Sequence, residues 1–150
     1  MFVKEIVPRA AIAFVARTFY NENYVALPMA HRLEKSGDEI KSAEYSWRSQ
    51  KVENHLRVTT RGEAQPLIAG SEAEFITEHY WGYAKQKDGS TIEYQVAHPP
   101  WRVWQAESAE LQCDIAGLYG ANFNDYLNCK PASAFLAEGS AVKVFCGTRI

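Results

Sequence analysis

The chain is 150 residues long, the length of one domain, with 47% apolar and 23% charged residues, so it can bury a core and is not a disordered segment. Its 16 basic and 18 acidic side chains leave it slightly acidic, which argues against a nucleic-acid partner. No apolar run approaches the ~20 residues of a membrane-crossing helix, so no membrane partner is expected.

The N-terminus lacks the basic start, apolar middle and small-residue cleavage site of a secretory signal. Three cysteines, Cys113, Cys129 and Cys146, are odd in number and far apart, which suits reduced thiols in the cytoplasm. They form no Cys-x-x-Cys pair, and neither a metal nor a cofactor is implied.

From the N-terminus, Phe2, Lys4 and Ile6 alternate with Val3, Glu5 and Val7 as a strand that starts abruptly. Exposed as a sheet edge, Met1 to Val7 would invite a homo-oligomer by pairing with a second chain. Pro8 suits a first helical turn, and Ile12, Val15, Ala16 and Phe19 recur at helical spacing, which predicts an amphipathic helix over Arg9 to Tyr20. Strands are predicted over Leu27 to Lys35, Glu39 to Ser49 and Val52 to Thr60, the last with Val52, Leu56 and Val58 inward. The turn at Ser36-Gly37-Asp38 leaves the register of the first pair open, since Ser-Gly and Gly-Asp both suit a tight turn.

Gly62 to Gly70 reads as a loop. Ser71-Glu72-Ala73-Glu74 then has the form of a capping box and predicts a short helix. The central feature follows: a strand from Tyr80 to Lys87, an Asp88-Gly89 turn, and a strand from Thr91 to His98. A two-residue turn places Lys87 opposite Ser90, Lys85 opposite Ile92, Tyr83 opposite Tyr94 and Trp81 opposite Val96, with Gly82, Ala84, Glu93 and Gln95 on the other, polar side. Pro99-Pro100 stops this ladder. Short strands are predicted over Trp101 to Gln105 and Ala109 to Ile115, a short helix or turns over Ala116 to Leu127, a connector over Pro131 to Gly139, and a last strand over Ala141 to Cys146. The fold class is mostly β, α+β, in one domain over 1–150.

The same register sets His79 opposite His98, two imidazoles that could bind a metal or relay a proton, whereas alternation points Glu78 away from them. A catalytic zinc normally has three protein ligands, and no third is evident. A bonded pair at a sheet rim is the simpler reading. His31 and His55 fit surface or packing roles. Cys113 and Cys146 read as core fillers, and Cys129 as exposed. The four tryptophans, Trp47, Trp81, Trp101 and Trp104, suit either a ligand pocket or a ring-rich core.

Four stretches carry a resemblance: Phe2 to Arg9, Tyr20 to Met29, Phe75 to Tyr83 and Val96 to Trp101. Together they resemble the DUF2071 family, an uncharacterised bacterial family of YqjF-like proteins. The resemblance implies a fold similar to acetoacetate decarboxylase, a cone-like, mostly antiparallel barrel with a few short helices and a central cavity. It also implies that the chain corresponds to the C-terminal, larger part of such a domain. Acetoacetate decarboxylases carry a Pro-Lys-Lys motif whose first lysine forms a Schiff base. With Pro28 matched to that proline, Met29 and Ala30 occupy the lysine positions, and a thioether cannot form an imine. The resulting expectation is a small-molecule-binding barrel without Schiff-base catalysis, its pocket lined by Tyr24, Met29, Tyr83, Tyr94 and Trp101. The alternatives are an enzyme of unknown reaction using His79, His98 or Glu78 as acid or base, and an inactive remnant.

Overall fold

The computed structural model describes residues 3–150, so the predicted positions of Met1 and Phe2 lie outside the described residues. The fold is mostly β with a few short helices, and the chain divides into two compact units. The first comprises residues 1–26, 66–102 and 137–150, and the second residues 27–65 and 103–136.

In the first unit, β1 (Glu5–Val7) pairs in parallel with β2 (Tyr24–Ala26), joined by α1 (Ala10–Phe19). The expected apolar stripe of α1 is largely uncovered: Ala13 is buried, whereas Ile12, Val15 and Phe19 are exposed. The Ser71 cap forms as predicted, its hydroxyl accepting from the Glu74 N–H at 3.2 Å ahead of α2 (Glu72–Thr77). Glu74 turns back to accept from the Gly70 N–H at 2.7 Å, one residue earlier than the ideal box.

The hairpin forms from β3 (Trp81–Lys85) and β4 (Thr91–Ala97), but its register differs from the prediction by one residue. Tyr83 faces Glu93, not Tyr94; Trp81 faces Gln95, not Val96; Lys85 faces Thr91, not Ile92. The cause is the loop. Gln86 closes on Ser90 by an N–H···O bond of 2.8 Å, leaving three residues, Lys87-Asp88-Gly89, with Gly89 at φ 89. Asp88 accepts from the N–H and hydroxyl of Ser90, which favours this longer turn over the two-residue one. A slip of one residue exchanges the faces. Ala84 is therefore buried, and Trp81 and Tyr83 are 53% and 61% exposed. On the other edge of β4 lie β5 (Lys143–Val144), within the predicted last strand, and β6 (Thr148–Arg149), which lies beyond it and outside any predicted element. Between them the register shifts, and Gly147 lies against Ile92 so closely that a Cβ would come 2.2 Å from its Cγ2. Cys146, expected in the core, falls in this shift and is exposed.

The second unit holds a five-stranded antiparallel sheet: β7 (Met29–Ser36), β8 (Glu39–Ser49), β9 (Val52–Gln65), β10 (Val103–Gln112) and β11 (Phe135–Ala137), in that spatial order. Ser36 pairs with Glu39, so Gly37-Asp38 forms the turn, with Gly37 at φ 62. The two short strands predicted on either side of residue 107 are one continuous strand, β10, paired along β9. The register gives the sheet two unlike faces. Arg32, Glu34, Glu44, Arg48, Glu53, His55 and Arg57 share one; Leu33, Ala43, Tyr45, Trp47, Leu56, Val58 and Leu111 share the other. Val52, Leu56 and Val58 lie on the apolar face as expected, but Val52 and Leu56 are 43% and 37% exposed rather than inward.

β10 is followed by α3 (Ile115–Tyr119), in which Ile115 and Leu118 are buried. Its anchor is Asn54, with no exposed surface: its amide donates to the Trp47 and Val52 carbonyls at 3.2 and 3.1 Å and accepts from the Asp114 N–H at 2.8 Å. Asp114 in turn caps α3 through the Gly117 N–H at 2.9 Å. A 3-10 turn (Ala121–Phe123) and α4 (Asn124–Leu127) complete the unit.

Candidate functional site

Tyr94 is the centre of a tyrosine and carboxylate cluster in the first unit. It stands opposite Gly82, and its ring occupies the space a side chain would take there: a Cβ on Gly82 would lie 2.1 Å from the Tyr94 Cζ. The Tyr94 hydroxyl donates to Glu22 at 3.1 Å, and its ring meets Tyr20 edge-on at 4.9 Å. Tyr20 donates to the Phe145 carbonyl at 3.1 Å. The segment carrying Tyr20 and Glu22 is held to the hairpin by Asn21, which donates to the Lys85 carbonyl at 2.7 Å, and by Gln86, which donates to the Tyr20 carbonyl at 3.1 Å. Asn21 adopts φ 54, a conformation its short polar side chain tolerates.

Burial, then the negative charge of Glu22, hold the Tyr94 phenol well above its ordinary pKa. Tyr24 is raised for similar reasons, burial first and then Glu5 and Glu22. Burial also raises the Glu5 carboxyl, whose residue pairs with Tyr24 across β1 and β2. Both phenols therefore act as neutral hydrogen-bond donors across the working pH range.

Beside this cluster opens a cleft of about 1260 Å³. It is lined by Ala13, Phe14 and Arg17 of α1, by Glu22 and Tyr24, and by Lys4, Lys87, Asp88 and Arg149. Arg149 is engaged by Asp88 at 2.6 Å and Glu22 by Tyr94, whereas Arg17 and Lys87 have no carboxylate within ion-pair distance among the described residues. Four cations against two carboxylates make the cleft net positive on a chain of net charge −2.

A second locus in the same unit holds the three acid–base candidates. Glu78 accepts from the Tyr80 hydroxyl through one carboxylate oxygen, while its other oxygen is buried without a partner among the described residues. That bond to Glu78, more than burial, raises the Tyr80 phenol above its ordinary pKa. His98 stacks between Tyr80 at 5.0 Å and Trp101 at 4.2 Å, and Trp101 donates to the Ser140 hydroxyl at 2.9 Å. His79 is not opposite His98 as predicted. The shifted register carries it past the strand end, where its Nδ1 lies 3.0 Å from the Ile76 carbonyl and its ring meets Phe75 edge-on. Gly70, Ser71, Glu74, Glu78, His79 and Tyr80 line a shallow pocket here.

The DUF2071 family model, described as an uncharacterized conserved protein, matches residues 1–141. The chain belongs to the DUF2071 family. No curated protein and no solved structure matches it.

For this DUF2071 chain, the five expected ligand-lining residues separate. Tyr24 and Tyr94 converge on the cluster. Tyr83 lies on the opposite face of the hairpin, where Glu93 raises its phenol pKa by hydrogen bonding. Trp101 belongs to the histidine stack, and Met29 opens β7 in the second unit, opposite Trp47. Of the tryptophans, Trp47 and Trp104 are buried in the second unit with indole N–H groups lacking a partner among the described residues. Glu22, Tyr20 and Arg17 are the residues that sequence reasoning missed. They sit in the last turn of the predicted helix or just after it, and no local periodicity relates them to Tyr94.

Proposed function

We propose that the chain binds a small anionic organic molecule in the cleft beside Tyr24 and Tyr94, without Schiff-base catalysis. The observation that carries this reading is one cleft lined by Arg17 and Lys87, which have no carboxylate partner among the described residues, and by the neutral phenol of Tyr24, with the Tyr94–Glu22 bond beside it. Arg17 would take the anionic group, since a guanidinium pairs with a carboxylate through two N–H donors. Phe14 and Ala13 would cover the apolar part, giving the mix of apolar wall and few polar anchors usual in small-molecule sites.

The absence of imine chemistry is supported by Met29 and Ala30 at the positions the family resemblance aligns with the catalytic lysines, and by the exposure of Lys35, Lys41 and Lys51. Borohydride trapping with acetoacetate should leave every lysine unmodified. We further infer a cone-like barrel of the acetoacetate decarboxylase type, left open at β7, in a cytoplasmic protein. The antiparallel sheets and the two-faced second unit support the barrel, and the three free cysteines the compartment.

Untargeted native mass spectrometry of the purified protein identifies the captured compound, which is then titrated against wild type, Arg17→Gln and Lys87→Gln. Binding should weaken about tenfold in Arg17→Gln, the loss of one charge-assisted contact. A captured compound that is neutral, or that binds Arg17→Gln as tightly as wild type, sinks the proposal. A second reading rests on Glu78, whose buried oxygen, without a partner among the described residues, suits an acid–base group beside Tyr80 and the His98 stack. Turnover of the captured compound, lost in Glu78→Gln and retained in Arg17→Gln, would favour that reading.

A further inference from the structure

We propose that β7 is a dimerisation edge, pairing antiparallel with β7 of a second copy about an axis through Leu33. The strand is eight residues long, terminal in its sheet, and exposed at every position after Met29. An unpaired edge of this length is a template for another strand.

The ladder to β8 shows which backbone groups are available. The Arg48 N–H donates to the Pro28 carbonyl at 3.0 Å, and the same register pairs Ala30 with Ser46, Arg32 with Glu44 and Glu34 with Ser42. Hydrogen-bonded pairs alternate along an antiparallel ladder, so the even-numbered residues of β7 bond inward. The N–H and C=O groups of Met29, His31 and Leu33 therefore point away from the sheet.

With Leu33 opposite Leu33 of the second copy, these outward groups meet in register. Leu33 bonds Leu33, and His31 bonds Lys35 on either side of the axis; the bulge between Glu34 and Lys35 places its extra residue, Lys41, on β8 and leaves the alternation along β7 unbroken. The side chains also match. Arg32 falls opposite Glu34 of the second copy, and Glu34 opposite its Arg32, both on the polar face. Charges on an edge strand usually repel a second strand. Here their order, a cation and an anion one residue either side of Leu33, makes the mirrored pairing attractive instead. Arg32 and Glu34 already lie 3.1 Å apart within the strand, and both are exposed enough to be shared across the axis. On the other face the two leucines close a gap that leaves each 40% exposed in one chain. An interface built on one strand is small, so the dimer is weak and concentration-dependent.

Sedimentation velocity on the full chain, from low micromolar to near-millimolar concentration, tests this. Wild type should pass from monomer to dimer. Leu33→Pro removes an outward N–H that β8 does not use, so it should stay monomeric while keeping the wild-type circular dichroism. Glu34→Arg places like charges opposite each other twice and should weaken the dimer about tenfold. The double variant Arg32→Glu, Glu34→Arg restores opposite signs in the same register and should recover dimerisation, although the Glu34 bond to the Ser42 hydroxyl stays lost. A wild type that remains monomeric throughout overturns the proposal. So does a Leu33→Pro dimer as tight as wild type, or a double variant no better than Glu34→Arg.

Discussion

Substituting Gly82 by alanine probes the hairpin register and the tyrosine cluster together. The added methyl carbon would stand 2.1 Å from the Tyr94 Cζ, where carbon atoms settle at about 3.5 Å or more. The ring must therefore move by more than an ångström. That movement breaks the 3.1 Å bond to Glu22, worth about 1.5 kcal/mol for a charged acceptor. It also disturbs the edge-on contact with Tyr20, worth about 0.5–1.5 kcal/mol. Against this, alanine in a strand is favoured over glycine by about 0.5–1 kcal/mol. The net effect is a destabilisation of about 1–2.5 kcal/mol, within the range of overpacked sites.

Urea unfolding measures it as a lowered midpoint at unchanged slope, and thermal unfolding as a fall of roughly 3–8 °C. The cycle is closed in a Tyr94→Ala background, where the space is vacant and Gly82→Ala should raise stability by about 0.5 kcal/mol. Gly82→Ala as stable as wild type would refute the reasoning. In the alternative register, with Tyr83 opposite Tyr94, Gly82 faces Gln95 and the methyl group meets nothing that must move.

Asn54→Ala should cost about 1–3 kcal/mol by the same urea assay, because it strands the Asp114 N–H and takes one donor each from the Trp47 and Val52 carbonyls around a fully buried side chain; a loss under about 0.5 kcal/mol would mean those groups find other partners. Burial raises the Glu5 carboxyl above 4.5, so its contribution to stability is complete below that value and is lost as pH rises through the folded pKa. Glu5→Gln should therefore melt about 1–2 °C above wild type at neutral pH, the half-exposed site limiting the gain, and the advantage should vanish near pH 4. An advantage of equal size at both pH values would rule out the ionisation of Glu5 as its source.

The elements were legible where a local signal sufficed. Ser71 and Glu74 begin α2 as their spacing implies, and alternation in residues 39–49 marks a strand with Ala43 and Trp47 inward. Alternation says which residues share a face, not whether anything covers it. Leu56 and Ile12 accordingly lie on the expected apolar faces and are still exposed. Asp88-Gly89 announced a hairpin but not its loop length, because the Asp88 carboxylate bonds Ser90 and draws a third residue into the turn. Family membership was legible in four short stretches; the cleft was not, because Arg17, Glu22, Lys87 and Arg149 come from three separate parts of the chain.

Gly82 is the local signal that decides the rest. A glycine inside a strand weakens it and marks a place where something else comes close. The two candidate registers place different partners opposite it. Gln95, flexible and polar, gives no reason for a missing side chain. Tyr94 gives a specific one, since its ring fills the volume of the absent Cβ. The same choice of register carries Tyr83 to the opposite face and leaves Tyr94 to meet Tyr20 and Glu22. One turn residue more or less thus determines which tyrosine can take part in the cluster. A ligand bound there should respond to Tyr94→Phe, which removes the donor to Glu22, and be indifferent to Tyr83→Phe. The opposite pattern would place the site on the other face of the hairpin.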